Sequence, residues 1–238
     1  MLYYHSETLS RRSCQCSDDS SFPFFRPYSQ CGEDRIIELL FTKLSISQWT
    51  WLDIGAGDPL ILSNTALFYE RGCRGINIEP NKALYRRLCE RRPEDINLNV
   101  GVGPKPGYLE YYMFEENPYL NTCIREEALS LVNRFGYQIT DTRRIPVMTI
   151  NQILEQYCQS QFPDILDLDM EGMDLEILSQ IDFSSSSPKI IVLETVQFGS
   201  VRKNPAAKDF LEKQGYIAPY ETPINTLFVR RDCWEKML

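Results

Sequence analysis

The sequence predicts an α/β fold of Rossmann-like type: a mostly parallel seven-stranded sheet with helices on both faces and an inserted hairpin that forms a lid. Three observations predict it. Short apolar runs ending in acidic residues alternate with segments of helical spacing. A glycine-bearing turn, Gly55-Ala56-Gly57, follows the first of these runs, and 238 residues with 43% hydrophobic content suffice to bury one core of this kind. The expected organisation is one domain over residues 28–238, preceded by an arm or cap over 1–27. That arm carries polar residues, two prolines and Phe22, Phe24 and Phe25 without periodicity.

Taken in order, the first helix starts at Glu33, with apolar residues at 36, 37, 40, 41 and 44 facing one side. Residues 50–54 and 75–79 read as strands separated by the helical spacing of SNTALFYERG, which makes a βαβ unit. Asn81 is placed to cap a helix that carries Leu84 and Leu88 four residues apart and is stopped by Pro93; residues 96–100 follow as a third strand. Residues 101–135 break the alternation, with Gly and Pro at 101–107, strand character at 108–114, then a loop and a helix near 125–135, and the inserted hairpin and lid is expected to span about 104–148. Thr149 and Gln152 form a capping box that opens a helix ending near Cys158. A strand at 164–169, a helix after Gly172 and a strand at 189–194 resume the rhythm. Asn204-Pro205 opens another helix that Gly215 ends, and strands near 216–219 and 224–230 close the sheet.

Charge and composition narrow the function classes. A formal charge of −8 repels phosphodiester backbones, so nucleic acid is not an expected partner. Arg86/Arg87 and Arg91/Arg92 read as the solvated face of one helix. The sole histidine, His5, lies in the arm, which excludes a Ser-His-Asp or Cys-His nucleophile from the domain and leaves a carboxylate, Lys or Tyr as general base. Eight scattered cysteines without a C-x-x-C pair suit reduced thiols, and no apolar stretch is long enough for a membrane span; a soluble, cytoplasmic protein is expected.

Ligands of open α/β sheets bind at the carboxyl ends of the strands, and here those ends are acidic: Asp53, Glu79, Asp169 with Glu171, and Glu194. Leu60 stands where a dinucleotide fingerprint wants glycine, and Asp53 would oppose a pyrophosphate. S-adenosylmethionine has no phosphate, and its ammonium and sulfonium favour a carboxylate at Asp53. Glu79, 26 residues later, is placed to accept both ribose hydroxyls. Gly55, Ala56, Gly57, Asn64, Thr65, Pro80, Val100, Gly101 and Asp169 complete the expected cofactor contacts. Asp169, Glu171 and Glu194 are the catalytic candidates: they either deprotonate or orient a hydroxyl, or Asp169 and Glu194 hold a divalent cation such as Mg. The plainer alternative has Glu171 capping the helix and Glu194 solvated. Asp167 either faces the same cleft or is a satisfied polar residue beneath the insert.

The stretches SQCGEDRII (29–37), WLDIGAGDPLILSNTALFYERGCRGINIEPN (51–81), RRPEDINLNVGVG (91–103), DILDLDMEG (164–172) and INTLFVRR (224–231) resemble the FkbM family of S-adenosylmethionine-dependent methyltransferases. That resemblance implies a class I methyltransferase fold and methyl transfer to a hydroxyl of a sugar or natural product. It places Gln30 and Asp34 near the methionine end of the cofactor, and Asp169 with Glu171 at the reaction centre. In the family a basic residue often precedes the last motif, where this chain has Asp167, which tilts the expectation toward a metal. Acceptor contacts are expected from Asn121, Thr122, Arg125, Arg143 and Arg144, with the arginines suited to an anionic acceptor. The competing expectation is a non-catalytic cofactor-binding or scaffold protein whose Tyr111, Tyr112, Phe114 and Tyr119 form a protein-contact surface, though the same aromatics equally suit a packed hairpin face or a lid for a sugar ring. The oligomeric state is left open, a homodimer included.

Overall fold

A computed structural model describes residues 27–114, 117–170, 173–196 and 205–238. The expected arm, Glu171 and Asn204 lie outside the described residues. The chain runs α1 (Glu33–Lys43), β1 (Trp51–Ile54), α2 (Ala66–Glu70), β2 (Ile76–Ile78), α3 (Lys82–Arg91), β3 (Ile96–Leu98), β4 (Gly101–Val102), β5 (Gly107–Met113), a 3-10 turn at Pro118–Leu120, and α4 (Arg125–Phe135). It continues through β6 (Asp141–Met148), α5 (Ile150–Tyr157), β7 (Ile165–Leu168), α6 (Asp174–Leu178), β8 (Ile190–Glu194), α7 (Pro205–Lys213), β9 (Tyr216–Glu221), β10 (Asn225–Arg230) and α8 (Arg231–Glu235).

Seven strands form the main sheet in the order β3-β2-β1-β7-β8-β10-β9, parallel throughout except for β10, which is antiparallel to both neighbours. The expected Rossmann-like α/β fold is therefore present. Its strands are buried on both faces, which is why they read as continuous apolar runs. On one face Leu52, Ile54, Ile78, Leu166 and Ile191 pack against Ile153 of α5, Ile177 of α6 and Leu211 of α7. On the other, Trp51, Ile165, Val192 and Leu227 meet Ile37, Leu40 and Phe41 of α1 and Phe68 of α2. Each fully buried Leu or Ile of these layers contributes about 1.5–3 kcal/mol relative to exposure.

The local signals act as expected. The Asn81 side chain accepts the Ala83 and Leu84 N–H groups at the start of α3, and the Thr149–Gln152 capping box opens α5. The insert differs from its expectation. It is a second sheet, β4-β6-β5, and residues 141–148, to which the sequence pattern assigned no element, form its central strand. Pro146 and three polar residues hid that strand. Pro146 is tolerated because β4 reaches only Val147 and Met148, leaving that side of β6 open at Pro146. The insert has its own core of Tyr112, Phe114, Leu120, Ala128 and Leu131. Tyr112 and Phe114 are thus consumed in packing, and the aromatic contact surface expected from them is not there. Among the described residues no helix is long and apolar enough to cross a membrane.

Candidate active site

The chain leaves β1 for β2 and β3 on one side and returns to β7 and β8 on the other, so the strand order reverses between β1 and β7. Beyond the carboxyl ends of these strands lies a cleft of about 170 Å³, adjoined by a smaller cavity of about 40 Å³. The β1 turn forms its floor. Gly55 has φ 86°, and its N–H and that of Ala56 donate to the Ile78 carbonyl. A Cβ at Gly55 would stand 2.4 Å from the Asp169 carbonyl oxygen, so only glycine lets the β1 and β7 turns touch.

Carboxylates surround that floor. Glu79 accepts the N–H groups of Gly57 (2.8 Å) and Asn81 (2.6 Å), yet burial pushes its carboxyl up to about 7. Asp53 accepts the Thr65 hydroxyl at 2.7 Å and is raised by burial to about 6. Asp167 pairs in register with Asp53 across β1 and β7; burial, and then the Asp53 charge, hold it well above the usual carboxylate range. Asp169 is raised by burial and then by Glu194, with which its carboxyl shares a hydrogen bond. Two carboxyls can share that bond only with a proton between them. Six carboxyl side chains, those of Asp53, Asp58, Glu79, Asp167, Asp169 and Glu194, line the two cavities, and no Lys, Arg or His is among their described lining residues.

The sequence candidates divide cleanly. Gly57, Glu79, Pro80 and Glu194 line the cleft, Asp53, Asn64 and Asp167 the smaller cavity, and Gln30, Gly55, Ala56 and Asp169 both. Asp34 and Thr65 line neither, nor do Val100 and Gly101. Asp34 is fully buried, and its carboxylate accepts the Tyr28 N–H and the Ser29 hydroxyl, so it shapes the loop that presents Gln30. Of the acceptor candidates, Asn121 and Thr122 line the cleft together with Tyr111 and Tyr119, whereas Arg125, Arg143 and Arg144 do not. Arg143 pairs with Asp141 at the surface, and Arg144 lies over the Tyr108 ring, 4.9 Å from its centroid. Glu171 lies outside the described residues. The cation expected between Asp169 and Glu194 finds no support: among the described residues no group of three His, Cys, Asp or Glu side chains is placed to hold a metal ion.

The reading of the α3 arginines as solvated holds for Arg86, Arg87 and Arg91, which are exposed, and is overturned at Arg92. Arg87 forms an ion pair with buried Asp58 at 2.6 Å. Arg92, one residue past the helix, is fully buried, because Asp95 and Asn77 on neighbouring elements satisfy its guanidinium. Sequence reasoning also missed Asp58, Cys123, Ile224 and Asn225 as lining residues. Only Asp58 carried a signal, an Asp-Pro after the glycine turn, and its carboxylate accepts the Leu60 and Ile61 N–H groups.

The methyltransferase FkbM domain model matches residues 53–218. The chain belongs to this family. Among solved structures, the methyltransferase FkbM from Methylobacillus flagellatus KT is similar with a TM-score of 0.47 and 15% identity, over 77% of this chain and 44% of that one. The methyltransferase domain of bacterial CtHen1-C gives a TM-score of 0.38 and 12% identity, over 83% and 97%. This FkbM-family chain therefore spans less than half the length of the first of these structures. No curated protein matches it.

Proposed function

We propose that the site binds S-adenosylmethionine and directs its methyl group to a hydroxyl oxygen of a neutral small molecule, a sugar or a natural product. The observation that carries this reading is the set of six carboxyls lining the two adjoining cavities, with no Lys, Arg or His among the described lining residues. Buried carboxyls whose protons are held by mutual repulsion and desolvation favour a cationic ligand, and the cofactor's methionine end brings an ammonium and a sulfonium. Membership of the FkbM family supports the same cofactor.

When bound, S-adenosylmethionine supplies an electrophilic methyl on sulfur. Asp53 lies nearest the expected methionine end. Glu79, already fixed by the Gly57 and Asn81 N–H groups, keeps lone pairs for the ribose hydroxyls. Asp169 and Glu194 share one proton, which leaves a basic oxygen on the pair to take the acceptor's hydroxyl proton as its oxygen attacks. Much of the rate then comes from alignment, since an in-line displacement needs little else. The rim offers Ile61 and Leu62, both well exposed, with Tyr119, Asn121 and Thr122. Such a mixture suits the apolar face and hydroxyl edge of a sugar ring, and the acidic surroundings disfavour the anionic acceptors that the arginines first suggested.

The test is incubation with methyl-labelled S-adenosylmethionine and a panel of glycosides and hydroxylated natural products. The expected label is an ether stable to mild base, and Asp169→Asn is expected to lower kcat by about 10²- to 10⁴-fold. Label released by mild base would place the methyl on a carboxylate and overturn the reading.

A further inference from the structure

Residues that pair in register on a parallel sheet point to the same face, and one such row is polar: Asn97, Asn77, Asp53 and Asp167, on β3, β2, β1 and β7 in turn. It crosses a sheet whose other central positions are apolar. At its outer end lies Arg92, fully buried, its guanidinium centred 5.2 Å from the Trp51 ring. Each donor is engaged on a different element: Nε gives to Asp95 at 2.8 Å, Nη2 to Asn77 at 3.0 Å, and Nη1 to the Thr65 hydroxyl at 3.0 Å. That hydroxyl in turn gives its proton to Asp53 at 2.7 Å. The route therefore runs from a cation sequestered beneath the sheet edge, through one hydroxyl, to a carboxylate in the wall of the cofactor cavity.

We propose that Arg92 and Thr65 are positioning residues of the cofactor site, holding Asp53 ionised and aimed at the ammonium of the cofactor's methionine end. This rests on the S-adenosylmethionine reading above. A core that needed only to be filled would carry aliphatic residues here, since a buried ion pair stabilises little over a well-packed apolar substitute. The arrangement instead delivers charge-assisted hydrogen bonding to one side of Asp53, leaving the other side open to the cavity. Several acids oppose ionisation there: Asp95, Asp167 and Asp169 act on Asp53 or its neighbours, and Glu79, in the adjoining cleft, interacts with the Asp53 charge. Burial pushes the Asp53 carboxyl up, the Thr65 hydrogen bond and the Arg92 charge oppose that rise, and the net result is about 6.

The test compares S-adenosylhomocysteine, which has the ammonium, with 5′-methylthioadenosine, which lacks it, by calorimetry across pH 5.5–8.5 on the full chain. Thr65→Val is expected to weaken S-adenosylhomocysteine about tenfold at pH 7.5 while changing 5′-methylthioadenosine less than about twofold. It is also expected to move the pH at which S-adenosylhomocysteine binding is lost on acidification upward. Thr65→Ser, which keeps the hydroxyl, is expected to restore both values. Arg92→Lys, which keeps a charge but loses the fork, is expected to fall in between, and Thr65→Ala reports on the same contact if the valine variant does not fold. Equal losses for the two ligands, or an unchanged pH profile, would reduce the pair to a structural role and overturn the proposal. Absence of S-adenosylhomocysteine binding by the unsubstituted protein would instead overturn the cofactor reading on which it rests.

Discussion

At the scale of single residues, burial sets the charge state of this site. Glu79 and Asp53 are raised to about 7 and about 6 from ordinary values of 4.5 and 3.8, so the folded ligand-free protein binds more protons than the unfolded chain over that window. Their contribution to stability is therefore lost as pH rises through about 6 and about 7. Glu33 has the opposite sign. Burial alone would raise it, but hydrogen bonds from Asn225 and Thr222 outweigh that and lower it, so its contribution is present above the usual carboxylate range and lost only in stronger acid. Thermal denaturation of the ligand-free protein should accordingly show Tm rising by about 3–5 °C between pH 8 and pH 6. A falling Tm over that interval would mean that the carboxyls are not desolvated as described. Asp53, Glu79, Asp169 and Glu194 were legible in the sequence because each lies at or next to the end of an apolar run. Arg92 was not, because nothing in a run of arginines on a helix tells which one the sheet edge will enclose.

At the scale of elements, periodicity and caps located α1 to α7 and all seven strands of the main sheet, and missed α8, β4 and β6. Only Ile145 and Val147 of that strand are fully buried, so its alternation covers too few residues to stand out, and Pro146 argues against a strand. The partners that make it a strand, β5 and β4, pair with it across 28 to 46 residues of chain, where local reading does not reach. The insert packs around its own cluster, with Leu131 of α4 2% exposed at its centre. Leu131→Ala should cost about 2–4 kcal/mol within that unit. Hydrogen exchange should then quicken across 107–148 while β1, β7 and β8 keep their protection. Uniform loss of protection over the whole chain would show instead that insert and main sheet unfold as one body.

At the scale of the molecule, the order β3-β2-β1-β7-β8-β10-β9 places every acidic strand end of the central strands on one edge, at the point where the chain changes direction. The sequence pattern revealed the parallel α/β class, because buried parallel strands are apolar throughout, and the turn Gly55-Ala56-Gly57 marked the edge at which to look. It did not reveal that six carboxyls would line the two cavities with no Lys, Arg or His among the described lining residues, since that concentration arises only when β1, β2, β7 and β8 lie side by side. The central claim is that this acidic edge is built for the cationic end of an adenosyl cofactor. Calorimetric titration of S-adenosylhomocysteine into the protein and into Asp53→Asn tests it most directly. The account predicts binding by the unsubstituted protein and a loss of about tenfold or more on removing the Asp53 charge; no binding, or equal affinity for both proteins, would contradict it.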